Sequence, residues 1–403
     1  MDRYKILTII KLAITGFKFV FFTLIAGIYS DTDVALVFFF HSCIAISVQF
    51  MSFDAYIPFL QKFSRTKHAS YKLFILLNHV KLFLLRAIPF LAMYYLLYIT
   101  LGVYFPDYFS YTYFCLFLVI LILDGVINDI VRYLQVVDVF GQLIVLSLRN
   151  LFPYLLFLVF SENIDELFTS IILFCVFSIL FGVFRLLSPL KRGFGDFSRF
   201  LKSRNISLFR GKGFGKYFSV VLLRGSYYNM DRFVFAFVML PSMYSQYAFY
   251  AAIGQVFHMM VQTIQIQPLL PSWFGRGERN NLTYSFLFKS FWMSAAFCLV
   301  SIICLFVVNK IMSSHELDYN SLLVLLGYCI GSCIFTLGAY TYCRFSFLGL
   351  VSFHFFGMLS FFISLVSIYF FSNYFIFPLV FYSVFFLVYF LYLRKFHGLF
   401  VSQ

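Results

Sequence analysis

The chain has 403 residues, 62% of them hydrophobic and 11% charged, with a net charge of +14 and a mean hydropathy of +0.92. A soluble domain carries charge on about a quarter of its residues, so a soluble enzyme or binding module is excluded. The positive balance is no nucleic-acid signal either, because the bases flank apolar segments instead of forming one patch.

With about 20 residues as the spanning length, twelve apolar segments can be read: 6–29, 34–60, 82–102, 110–131, 139–160, 167–188, 217–240, 243–270, 287–309, 320–343, 346–371 and 374–393. They predict an all-α polytopic membrane protein. The first segment holds Lys11 and Lys18 and is too long and too interrupted for a cleaved signal peptide, so it reads as a span.

The connections alternate in charge. One side holds Arg3 and Lys5, then Lys62, Arg65, Lys67, Lys72 and Lys81, then Arg132, then the basic stretch from Lys191 to Lys216. It continues with Arg276, Arg279, Lys289, Arg344, Arg394 and Lys395. The other side holds Asp31, Asp33, Asp107, Glu162, Asp165, Glu166, Glu316 and Asp318, with Lys310 as its one base. The positive-inside rule then puts both termini in the cytoplasm.

The basic cytoplasmic linker, 189–216, divides the chain into an N-terminal six-helix bundle, 1–188, and a C-terminal one, 217–403. Its bases suit anionic headgroups. Its run Gly211-Lys212-Gly213-Phe214-Gly215-Lys216 lacks the Walker spacing and the closing Ser or Thr, so no nucleotide site is expected. All eight cysteines lie in apolar segments without metal-ligand spacing. No metal or organic cofactor is expected.

The costly residues lie inside the spans. A charge at a bilayer centre costs roughly 2.5–3.5 kcal/mol on insertion scales, yet segment 217–240 carries Arg224, Asp231 and Arg232. Read as one helix, it places Arg224 and Asp231 on one face. In the next segment Gln255, His258, Gln262 and Gln265 fall on one helical stripe. Lys18, Asp124 and Arg149 are further intramembrane charges, whereas Arg86, Asp129, Arg132 and Arg185 lie close enough to the interface to snorkel or pair locally. These positions predict a polar, mainly cationic lumen. Lys18, Arg149, Arg224 and Arg232 would engage an anionic solute such as a diphosphate, the glutamines and His258 would meet sugar hydroxyls, and Asp124 or Asp231 would titrate as a coupling site for H⁺ or Na⁺.

The run Tyr227-Tyr228-Asn229-Met230-Asp231-Arg232-Phe233, continuing through Tyr247-Ala248-Phe249-Tyr250-Ala251-Ala252 to Gln267-Pro268-Leu269-Leu270-Pro271, resembles the seventh and eighth helices of the Wzx-type O-antigen flippases. These are polysaccharide transporters of the multidrug/oligosaccharidyl-lipid/polysaccharide exporter superfamily. Length and segment number agree as well. The resemblance implies alternating access by two six-helix bundles in the bacterial inner membrane. The cargo would be an undecaprenyl-diphosphate-linked oligosaccharide, with a polymerase and a chain-length regulator as pathway partners. It also implies roles for Lys18, Arg224 and Arg232 in the lumen and for Asp231 in cation coupling. Ser52-Phe53-Asp54 departs from the glycine-rich pattern of the family's second helix, which leaves a role for Asp54 open.

Two other readings stand beside this one, an integral-membrane enzyme and another kind of transporter. A polysaccharide polymerase needs a sizeable periplasmic loop, and none is found. An acyltransferase wants a His–Asp dyad, and no such spacing appears. A small-molecule exporter of the same superfamily is the third.

Overall fold

The computed structural model describes residues 3–52, 63, 66–101, 110–160, 163–193, 220, 223–224, 227, 229–261, 264–265, 284–312, 317–344 and 347–397. Among these residues the regular structure is entirely helical, with no strand. In chain order the helices are α1 (Arg3–Ile28), α2 (Asp31–Ser52), α3 (Ala69–Leu101), α4 (Tyr111–Val137), α5 (Val139–Asn150), α6 (Phe152–Phe160) and α7 (Ile164–Leu187). Then follow α8 (Met230–Val238), α9 (Pro241–Val261), α10 (Tyr284–Met312), α11 (Tyr319–Arg344), α12 (Phe347–Phe371) and α13 (Phe377–His397). Single 3₁₀ turns cover Ser188–Gly193 and Tyr374–Ile376.

Seven stretches of described helix are long and apolar enough to cross a bilayer: Tyr111–Leu134, Phe140–Phe160, Asp165–Lys191, Ser285–Val307, Tyr319–Thr341, Leu350–Phe371 and Tyr374–Arg394. The chain is a multi-pass helical membrane protein.

Local chemistry sets several helix starts. Ser30 and Asp33 form a reciprocal cap at the start of α2, with the Asp33 amide 3.2 Å from Ser30 Oγ and the Ser30 hydroxyl donating to Asp33 at 2.7 Å. Ser110 accepts from the Tyr113 amide at α4, Asp138 from the Gly141 amide at α5, and Asp318 from the Ser321 amide at α11. The expected segment 139–160 is broken at Leu151 into α5 and α6. Pro153 explains the break, because its ring clashes with the carbonyl of Arg149 four residues earlier.

Two compact units form, one from Met1–Phe39 with Ser226–Gln403, the other from Phe40–Gly225. This division differs from the one read at the basic linker, since α1 packs on α9 and α10 and so joins the C-terminal helices. In that first unit α9 is central: it packs on α1, α8, α10 and α11, and α11 and α12 in turn pack on α13. Tyr244, Tyr247 and Tyr250 of α9 are fully buried. A helix this rich in tyrosine and glutamine is too polar for lipid, and protein surrounds it instead. In the second unit α4 and α7 form the main packing pair, and α5 and α6 lie against α7.

Candidate functional site

The most costly arrangement is in the first unit. The helix expected over 217–240 is interrupted: Tyr227 and Asn229 are in turn conformation, and α8 begins only at Met230. Asn229 has φ 57°, the left-handed region that asparagine tolerates better than most residues. Gln255 of α9 holds it there by donating to Asn229 Oδ1 at 2.5 Å. The break removes the shared helical face proposed for Arg224 and Asp231. Arg224 is half-buried and belongs to the other unit.

The break also moves Asp231 and Arg232 into the first turn of a short helix, where they are only 6% and 4% exposed. A carboxylate there complements the positive end of the helix dipole, and the Tyr247 hydroxyl donates to it at 2.5 Å. Arg232 donates to the Tyr328 hydroxyl at 3.0 Å, with its guanidinium carbon 6.0 Å from the centre of that ring. Arg232 Nε is buried with no hydrogen-bond partner among the described residues. Among the described residues, neither Asp231 nor Arg232 belongs to an ion pair.

The stripe on α9 is engaged within the same unit. His258 Nε2 lies 3.0 Å from the Tyr328 carbonyl, which can only accept, so this nitrogen carries a proton. Gln265 donates to the Phe286 carbonyl at 3.1 Å and accepts from Ser290 at 2.9 Å. Gln262 and Asp54 lie outside the described residues, as does the linker beyond Gly193. Glycines make room for this packing. A Cβ on Gly331 would sit 2.7 Å from His258 Nε2, and one on Gly254 would strike the Tyr328 ring. Lys18 is half-buried on α1. Tyr227 meets His354 Nδ1 at 2.7 Å.

In the second unit Asp124 and Arg149, which the sequence assigned to separate roles, form an ion pair at 2.5 Å between α4 and α5. Both keep little exposure. Arg185 donates to Asp138 at 2.6 Å and so steadies the residue that caps α5.

Sequence reasoning does not find the third cluster. His79 on α3, 3% exposed, lies 3.0 Å from Asp129 Oδ2 through Nε2 and 2.6 Å from the Tyr133 hydroxyl through Nδ1. The expected local pair of Asp129 with Arg132 is also present, at 3.5 Å. A His–Asp dyad therefore exists, but its partners come from different helices. The one local signal was Asn78-His79 just ahead of an apolar run. Among the described residues no group of His, Cys, Asp and Glu is placed to hold a metal.

Comparison with protein-family models, with curated proteins and with solved structures gives no match.

Proposed function

We propose that this protein is a flippase of the bacterial inner membrane. It carries an undecaprenyl-diphosphate-linked oligosaccharide, an O-antigen or capsule repeat unit, from the cytoplasmic to the periplasmic leaflet. In this reading it works by alternating access, with twelve crossings, both termini cytoplasmic, and coupling to H⁺ or Na⁺. A polymerase and a chain-length regulator act after it.

The observation that carries the reading is Arg232, a buried guanidinium that makes no ion pair within 4.0 Å among the described residues and whose Nε finds no hydrogen-bond partner among them. A buried charge held this way lowers stability, and ionisable residues retained inside membrane proteins generally serve a substrate or ion path. Guanidinium suits the oxygens of a diphosphate. Asp231, bonded to Tyr247, is the carboxylate that takes up the coupling cation. Asp124 and Arg149 neutralise each other at rest, and exchange of that pair accompanies the transport step. Lys18 and the polar stripe that begins on α9 serve the same path in this reading.

Deletion of the gene tests it, with surface polysaccharide and lipid-linked repeat units assayed together. A flippase predicts loss of polymer with repeat units retained on the cytoplasmic face. Single repeat units at the surface would indicate a polymerase instead, and unchanged polysaccharide a small-molecule exporter.

A further inference from the structure

A cavity of about 360 Å³ lies between α3, α4 and α7 in the second unit, and the transport reading makes no use of it. Leu73 and Leu76, Val126 and Ile130, and Val183 and Leu187 line it from the three helices. The lining is almost wholly apolar. Its polar residues, His79, Asp129 and Tyr133, bond to one another. A polar solute would forfeit its hydrogen bonds there, whereas a hydrocarbon chain has none to lose.

Two lysines lie close in sequence to residues that line the cavity. Lys72 precedes Leu73 and shares a helical face with Leu76. Lys191 lies on the 3₁₀ turn that follows Leu187 and packs on α3. Among the described residues, the acids of α4 and its C-terminal turn are already engaged, Asp129 by His79 and Arg132, and Asp138 by Arg185. Lys67, Lys72 and Lys191 make no ion pair among the described residues. Among the described residues these lysines keep their positive charge uncompensated by a carboxylate, with the Lys72 ammonium over the Phe63 ring at 5.1 Å.

We propose that this is a binding site for an anionic phospholipid of the surrounding bilayer. One acyl chain fills the cavity, and the phosphate lies over Lys72 and Lys191. The site is separate from Arg232 and independent of the cargo.

The test uses the full-length protein in nanodiscs with phosphatidylglycerol carrying a diazirine in one acyl chain, and phosphatidylcholine with the same chain as control. Phosphatidylglycerol is expected to label peptides of α3, α4 and α7 in preference to phosphatidylcholine. Each of Lys72→Gln and Lys191→Gln is expected to weaken that labelling about fivefold, and Ile130→Trp to abolish it by filling the cavity. The lysine variants leave the cavity lining unchanged, so they remain informative if the tryptophan disturbs folding. Equal labelling by the two lipids, labelling unaffected by the lysine variants, or labels spread over all lipid-facing helices would overturn the proposal.

Discussion

Arg232 donates a hydrogen bond to the Tyr328 hydroxyl at 3.0 Å, the one hydrogen bond its side chain makes among the described residues, and the residue is 4% exposed. Tyr328→Phe removes it. The charge stays buried with nothing to accept from it, which costs about 1.5–3 kcal/mol for a bond to a charged group. A lower unfolding temperature in detergent is expected, whereas an unchanged one would mean that the guanidinium finds another acceptor.

Arg149 and Asp124 call for a cycle, not a single change. Removing Arg149 leaves Asp124 buried and unpaired, at about 3–5 kcal/mol, whereas removing Asp124 costs less because Arg149 keeps partial exposure. The double variant Asp124→Leu with Arg149→Met keeps the volume without the charges and is expected to recover most of that loss. Stability of the two single variants and the double variant checks this. Additive losses would show that the pair is not coupled.

Gly331 and Gly254 admit His258 and Tyr328 so closely that a methyl group has no room. Gly331→Ala and Gly254→Ala are each expected to cost about 1–3 kcal/mol through overpacking. Gly254→Ala should be the worse, because its methyl group meets a ring body and not the tip of an imidazole. Melting temperatures of the two variants give the order.

Asp318 lies outside the spans at the start of α11. Burial favours its neutral form, but hydrogen bonds from the Ser321 hydroxyl and amide and from Asn320 outweigh this and hold its carboxyl below the usual range. A depressed folded-state pKa contributes stability that is fully present above the unfolded value, near about 3.9, and is lost as pH falls through the folded value. Asp318→Ala is expected to cost about 0.5–2 kcal/mol as a lost cap. The difference between wild type and variant should shrink below about pH 4. Melting curves from pH 7 downward measure it, and a gap that persists in acid would contradict the carboxylate role.

Hydropathy located the seven spans found among the described residues. The segments 110–131, 167–188 and 346–371 correspond to α4, α7 and α12 within a few residues. What hydropathy cannot supply is an interruption inside an apolar run. The break before Met230 comes from Asn229 in a left-handed conformation held by Gln255, a tertiary bond that no window average contains. Helix α3 begins at Ala69, well before the apolar segment at 82, because a helix continues past the membrane wherever its backbone bonds are satisfied. The pairing of Asp124 with Arg149 was partly legible. The two lie at similar distances on either side of Asp138, so folding α4 against α5 as a hairpin brings them to one level. His79 with Asp129 was not, since no local spacing relates α3 to the far end of α4.

The most direct measurement compares wild type with Arg232→Met in proteoliposomes containing a fluorescent undecaprenyl-diphosphate-linked oligosaccharide and an imposed H⁺ or Na⁺ gradient. The methionine matches the apolar reach of arginine without its charge, and insertion of the variant is verified beside its transport. Gradient-dependent movement of the oligosaccharide is expected for the wild type and none for Arg232→Met. Transport by the variant at the wild-type rate would contradict this expectation.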